Sequence, residues 1–221
     1  MKDDIVIVGT GGFAREVAEV IGAINAQQKR WNLLGYLDEN SATHGTTVGG
    51  HGVLGGLDWL RDHPDTGVVI GIGNPVNRAK VAGRLRDFGN QICPALVHPR
   101  AWVGERVQLG VGTVVCAGVM ITCDIVIGEN VILNLNTTVG HDTVLKDFAS
   151  VAPSVNISGD VTLEAGSDIG TGTSIIQGCV VGEWSVVGAG AVVVRDVAAN
   201  VTAVGSPARA IKERRAGWQN T

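Results

Sequence analysis

Ile127-Gly128-Glu129-Asn130-Val131-Ile132-Leu133-Asn134-Leu135-Asn136-Thr137-Thr138-Val139-Gly140-His141-Asp142-Thr143-Val144-Leu145 is the stretch on which the reading of this chain turns. Counting in sixes from Ile127 lands on Leu133, Val139 and Leu145. Extended both ways, the count meets Val, Leu or Ile at every step from Val103 to Val193, sixteen times in succession and with no insertion. With about one residue in three of these types, chance would give such a run at on the order of 10⁻⁸. The residue two before each hit is small or β-branched, as at Ala101, Thr113, Thr137, Ala149, Thr173 and Ala191. Side chains two apart on a strand point to the same side, so both sets face inward.

A period of six therefore makes one short strand and one corner. Three units close a triangular coil, and sixteen give about five coils of a hexapeptide-repeat solenoid. The residue after the hit is often glycine (Gly104, Gly110, Gly128, Gly140, Gly170, Gly182 and Gly188) or Asn134. These types tolerate the backbone of a tight turn. The 32 glycines and the 4% of aromatic residues suit a narrow core of small stacked side chains.

Residues 1–95 follow another rule. Ile5-Val6-Ile7-Val8 reads as a short buried strand, and a helical stretch to about Gln28 follows the glycine-rich turn after it. Leu33–Leu37, ending at Asp38, and Val68–Ile72 read as further strands. Asn74-Pro75 starts a helix that runs to Phe88 and stops at Gly89. Strands alternating with helices imply a small parallel sheet, a Rossmann-like α/β unit. Gly9, Gly11 and Ala14 fit G-x-G-x-x-G/A between a strand and a helix, with Asp38 at the end of the second strand. Such a loop binds phosphate at a helix N-terminus, or is a tight turn with no ligand. About 95 residues hold only one mononucleotide half, so the expected ligand is nucleotide-linked and NAD catalysis is not expected. Cys93 to Arg100 reads as the link. The division is 1–95 for the α/β domain, 96–198 for the solenoid and 199–221 for a C-terminal extension.

The net charge of −4 argues against a nucleic-acid partner. No apolar run reaches the length of a membrane span, and Met1-Lys2-Asp3-Asp4 does not open a signal peptide. Cys93, Cys116, Cys123 and Cys179 form no CxxC pair, and a reduced, cytoplasmic protein is expected. Cys116, Cys123 and Cys179 fall at or beside inward positions, so none reads as a nucleophile. Of five histidines only His141 lies in the repeat, beyond the corner glycine Gly140 and followed by Asp142. A zinc site of the three-histidine kind found in coiled carbonic anhydrases is therefore not expected, and no metal is implied. His141 reads either as a general base oriented by Asp142 or as a solvated surface histidine. A prism corner is also where copies meet in a threefold assembly.

Several motifs together resemble one family over nearly the whole chain. They are Val8-Gly9-Thr10-Gly11-Gly12, Gly35-Tyr36-Leu37-Asp38-Glu39, Ile72-Gly73-Asn74 with Arg78, and Val97-His98-Pro99. Asn134, Val139-Gly140-His141-Asp142 and Gly205-Ser206-Pro207-Ala208-Arg209 complete the set. The sequence resembles the sugar acyltransferases related to sialic acid O-acetyltransferases, above all the nucleotide-linked amino-sugar N-acetyltransferases of bacterial glycan synthesis. The resemblance implies a left-handed parallel β-helix, a homotrimer with active sites between subunits, and acetyl-CoA as co-substrate. It places Gly11, Gly12 and Phe13 against diphosphate and sugar, Asp38 and Glu39 at base and ribose, and Gly73 in the same pocket. Asn134, Gly159, Thr171 and Ala189 would touch acetyl-CoA, and His141 with Asp142 would remove the proton of the attacking amine. Some relatives carry a second histidine where this chain has Ser150. Ser150 can donate a hydrogen bond but is no acid at neutral pH, so the Gly159 amide could polarise the thioester carbonyl. Arg195, Arg209 and Lys212 are candidates for the CoA phosphates, or ordinary solvated cations.

Three functions compete on this reading. One is direct N-acetylation of a nucleotide-linked 4-amino-4,6-dideoxysugar. Another is O-acetylation of sialic acid or a related hydroxyl. The third is a non-catalytic, ligand-sensing scaffold, against which stands the expectation that Asn134, His141 and Asp142 share one edge of one coil.

Overall fold

A computed structural model describes residues 3–89 and 93–220. The α/β unit is a sheet in the order β3-β4-β2-β1-β5. Here β1 is Asp3–Val8, β2 Trp31–Leu37, β3 Thr47–Val48, β4 His51–Gly55 and β5 Gly67–Ile70. All neighbours pair in parallel except β3 with β4. Helix α1 (Gly12–Gln27) buries Ala14, Val17, Val20 and Ile21. Helix α2 (Pro75–Leu85) starts as expected, with the Asn74 side chain accepting from the Asn77 amide and Pro75 at the first position. Its α-helical part ends at Leu85. A 3-10 turn continues to Phe88, and Gly89 closes it in the left-handed conformation. The hairpin of β3 and β4 is not visible in the sequence. Gly49-Gly50 and Gly52 interrupt any apolar alternation there.

From Leu96 the chain winds as a left-handed parallel β-helix. Its three faces are sheets in which each strand pairs with the strand one coil later, as Leu133 with Val151 and Val139 with Ile157. The first rung is Leu96–Val97, inside the stretch read as a link, and Val97 is itself one step of six before Val103. Beyond the repeat, Val201–Val204 adds in parallel to the face that holds Val186–Val187, and Arg209–Glu213 returns antiparallel to it.

The inward residues are almost completely buried. Leu133, Leu145, Val151, Leu163 and Val187 expose nothing. Each such side chain contributes about 1.5–3 kcal/mol. That sum offsets an expense at the corners. Every sixth residue from Arg106 to Gly190 has positive φ, and in the repeat nine of them are not glycine. A left-handed non-glycine residue costs about 1–2 kcal/mol, less for Asn or Asp. Asp124, Asn130, Asn136, Asp142 and Asp160 fill five of those nine positions.

The turn glycines therefore need another explanation from the one their type suggested. The left-handed residue sits three after each hit, whereas the glycines sit one after. At Gly140 a Cβ would stand 2.6 Å from the Gly159 amide and the Ser158 carbonyl carbon. At Gly170 it would stand 2.5 Å from the Ala189 amide. These glycines let one corner stack on the next.

Candidate active site

Two cavities of about 310 Å³ each open at the carboxyl ends of β1 and β2, where open α/β sheets bind ligands. The first is walled by Gly9, Leu37, Asp38, Glu39, Ile72 and Lys80. Gly9 has φ 106°, and Gly11 caps α1 without a side chain. The amides that open α1 therefore keep no side-chain acceptor, a favourable setting for phosphate oxygens. Ala14 takes the third position of the motif because α1 lies tight on the sheet. A Cβ on Gly71 would come within 2.8 Å of the Ala14 Cα.

Asp38 and Glu39 already hold this cavity together. Asp38 accepts from the Thr10 hydroxyl (2.5 Å) and from the Asn40 amide (2.9 Å). Glu39 accepts from the Leu57 amide (2.9 Å) and the Arg84 guanidinium (2.7 Å), which together keep its carboxyl below its ordinary pKa. Each carboxylate keeps lone pairs for further donors.

The second cavity lies between the α/β unit and the solenoid. Gly12, Phe13 and Gly73 form one wall, and Asn134, Ser150 and Asp168 stand on the other. Behind it, Arg78 crosses from α2 into the solenoid with only 1% of its surface exposed. Its guanidinium donates to the carbonyls of Ile72, Gly73, Asn130 and Phe148 at 2.7–2.8 Å and to the Ser150 hydroxyl at 2.7 Å. Burial pushes its pKa down to about 9, so it stays protonated at neutral pH. The Ser150 proton goes to the Gly73 carbonyl (3.0 Å). In this structure Ser150 is thus occupied in joining the two units. The sequence motifs contained Arg78 but gave it no role, because nothing in a helix sequence marks a side chain that reaches backbone carbonyls 52 to 71 residues away.

His141 stands at a different edge. Its Nδ1 lies 2.8 Å from an Asp142 carboxylate oxygen, and both side chains are more than half exposed. Asp142 is the left-handed residue of that corner, with φ 57°. The imidazole lies over Gly159, one coil on, where a Cβ would come 2.5 Å from its Cε1 and 2.6 Å from its Nε2. Gly159 thus provides the room for the ring.

Asn134, Thr171 and Ala189 occupy the edge between the face of Leu133 and the face of Val139. His141 occupies the next edge, between the face of Val139 and the face of Leu145. The expectation that Asn134 and His141 share one edge is therefore corrected. A strand of the repeat, Thr138–Val139, separates them. Ten residues line the second cavity and neither His141 nor Asp142 is among them.

Burial pushes the thiols of Cys93 and Cys116 up to about 12, and that of Cys179 up as well. A hydrogen bond to Asp124 is the main cause of the upward shift at Cys123. None carries the low pKa of a nucleophilic thiol. Arg195 sits on the His141 edge beyond Ile175, and Arg209 and Lys212 are exposed on the last strand. Among the described residues no group of His, Cys, Asp and Glu could hold a metal ion. No helix among them is long and apolar enough to cross a membrane.

The comparisons with known proteins agree with this architecture. Residues 4–85 match the family model of the PglD N-terminal domain. A histidine-to-asparagine mutant of perosamine N-acetyltransferase from Caulobacter crescentus, solved with CoA and GDP-perosamine, is 30% identical with TM-score 0.85. The match covers 95% of this chain and 97% of that one. The acetyltransferase domain of PglB from Neisseria gonorrhoeae, solved with acetyl coenzyme A, is 28% identical over 96% of this chain and 100% of that one, with TM-score 0.85. WeeI from Acinetobacter baumannii is 30% identical over 95% and 100%, with TM-score 0.84. No curated protein sequence matches the chain.

Proposed function

Since the chain belongs to the acetyl-CoA-dependent nucleotide-amino-sugar N-acetyltransferases, we propose that its acceptor is the 4-amine of a nucleotide-linked 4-amino-4,6-dideoxysugar, with GDP-perosamine the first candidate. The observation that carries this reading is the pair of cavities flanking the Gly9–Phe13 loop. One suits a nucleoside beside Asp38 and Glu39. The other suits a sugar between Phe13, Gly73 and the solenoid, with a diphosphate on the opening amides of α1 between them. Acetyl-CoA lies along the edge of Asn134, Thr171 and Ala189. The amine attacks the thioester carbonyl, His141 takes its proton through Nε2, and Asp142 fixes the ring through Nδ1. The tetrahedral oxyanion collapses and expels CoA as the thiol, with no acyl-enzyme.

The separation of His141 from the cavity gives the assembly a role in the chemistry. In a homotrimer the His141 edge of one protomer reaches the Asn134 edge and the cavity of its neighbour, so each site takes its base from another chain. Two inactive variants test this: His141→Asn, and Gly73→Leu, whose side chain fills the cavity beside Phe13. Unfolded and refolded together in equal amounts, they regain roughly a quarter of wild-type turnover, because one site in four pairs an intact base with an intact cavity. No recovery from confirmed mixed trimers would mean that base and cavity belong to the same chain.

The function itself is tested by thiol release from acetyl-CoA against GDP-, UDP- and dTDP-linked 4-amino-6-deoxysugars and free sialic acid. Turnover of one nucleotide sugar is the expected result. Turnover of sialic acid alone would replace the amine by a hydroxyl acceptor, and silence across the panel would end this reading.

A further inference from the structure

Asp168 follows Ser167 on a strand whose face is covered by the α/β unit, and pairs in register with Ser150. At the same outward position, the neighbouring rungs of this face carry Val114, Ile132 and Val186. A carboxylate is out of keeping with that company. Arg78 is committed to carbonyls and to Ser150, and Ser150 to Gly73. The Asp168 carboxylate accepts no hydrogen bond among the described residues, and it lines the cavity that also holds Phe13, Gly73 and Asn134. Burial raises its pKa, and only the Arg78 cation nearby pulls it back. A half-buried, unpaired carboxylate costs stability, and groups kept at such a cost concentrate at sites of function.

We infer that Asp168 recognises the acceptor as a cation, holding the ammonium form of the sugar amine in this cavity until one proton leaves to solvent and the free amine can attack, and so selecting an amine over a hydroxyl. The inference rests on the amino-sugar reading above. A primary sugar amine is largely protonated near neutral pH, whereas the hydroxyl of the corresponding neutral sugar never is. A desolvated carboxylate therefore discriminates between two groups of nearly equal size, which the shape of a pocket does poorly. The other carboxylate on the cavity wall, Glu16, stands at the exposed rim on α1 and adds to the same sign of field. The Arg78 cation behind the wall offsets part of that field, but its donors are committed to carbonyls and to Ser150, so they leave the carboxylate free to bind a cation.

The test compares affinities, so that it does not depend on turnover of the variant. Dissociation constants are measured by calorimetry for wild type and Asp168→Asn with GDP-perosamine and with GDP-6-deoxymannose, which carries a hydroxyl in place of the amine. If the wild type turns over a sugar on another base, the matching pair on that base is used. Asp168→Asn is expected to weaken the amino sugar about 10- to 100-fold and to leave the hydroxy sugar within about threefold. Its thermal unfolding midpoint is measured alongside as a check on folding, because the lost charge relieves a desolvation cost at Asp168 and removes a favourable field at Arg78. Equal losses for both sugars, or no loss for either, overturn the inference, as does a fall in the midpoint that accompanies an unselective loss. Thiol release by the wild type separates the two levels. No turnover of any amino sugar defeats the amino-sugar reading itself, whereas turnover with unselective binding defeats only the role of Asp168.

Discussion

Replacing His141 by Asn lowers kcat by about 10²–10⁴-fold while KM for both substrates moves by no more than about threefold. Asn retains a polar group of similar reach but cannot accept a proton at neutral pH. The imidazole lies outside the cavity walls and is more than half exposed in the free chain, so little ground-state binding is lost with it. The residual rate of the variant rises with pH, since without a base only the fraction of acceptor already present as free amine reacts. The measurement is thiol release at saturating acetyl-CoA between pH 6 and 9, with the proposed trimer checked by light scattering. A loss smaller than about tenfold in an intact assembly would assign the proton to another group or to water.

The largest loss of stability is expected at Arg78→Met. Methionine matches the apolar stem but supplies no donor, and the carbonyls of Ile72, Gly73, Asn130 and Phe148 are then left in a dry interface. Removing one partner of a buried charged network costs about 3–5 kcal/mol. For a chain of this size that lowers the unfolding midpoint by roughly 10–15 °C. Arg78→Lys recovers only part of it, because an ammonium reaches fewer of these divergent acceptors than a planar guanidinium. The site suffers as well, since the Gly73 carbonyl sits between Arg78 and the second cavity, and KM for the nucleotide sugar rises before kcat falls. Scanning calorimetry and amide exchange would follow the change. A midpoint within about 2 °C of wild type would show that the acceptors find water instead.

The solenoid was almost fully legible in the sequence. A strand with one inward hydrophobe per six residues has no other way to bury it, and sixteen repetitions leave no ambiguity of register. The start of the α/β unit was legible for the same kind of reason, in Ile5–Val8 and in the helix signals at Asn74-Pro75 and Gly89. What escaped was whatever depends on distance across the chain. The strands Thr47–Val48 and His51–Gly55 have too few apolar residues to announce themselves. Asn134 and His141 are seven residues apart, close enough to suggest one edge, yet a six-residue repeat turns the chain through a whole face between them. Ser150 read as a group near the thioester, and its hydroxyl lies in the Arg78 network. Asp168 drew no reading from the sequence, because only the folded chain shows which of the three faces is covered.

The uninterrupted pairing of each residue with the one a coil later also limits how such a chain can change in length. One inserted residue between Val103 and Val193 would turn every later inward side chain outward and move each left-handed corner onto a residue unsuited to it. A loop could be absorbed only by bulging out at a corner, where the chain returns to the same rung. Removal of one complete turn, by contrast, leaves every remaining neighbour in place, with the ends of the solenoid brought closer by one strand spacing of about 4.8 Å. Deletions of this half of the molecule are thus quantised, and the gap between the His141 edge and the C-terminal cations can be adjusted only in whole steps of that height.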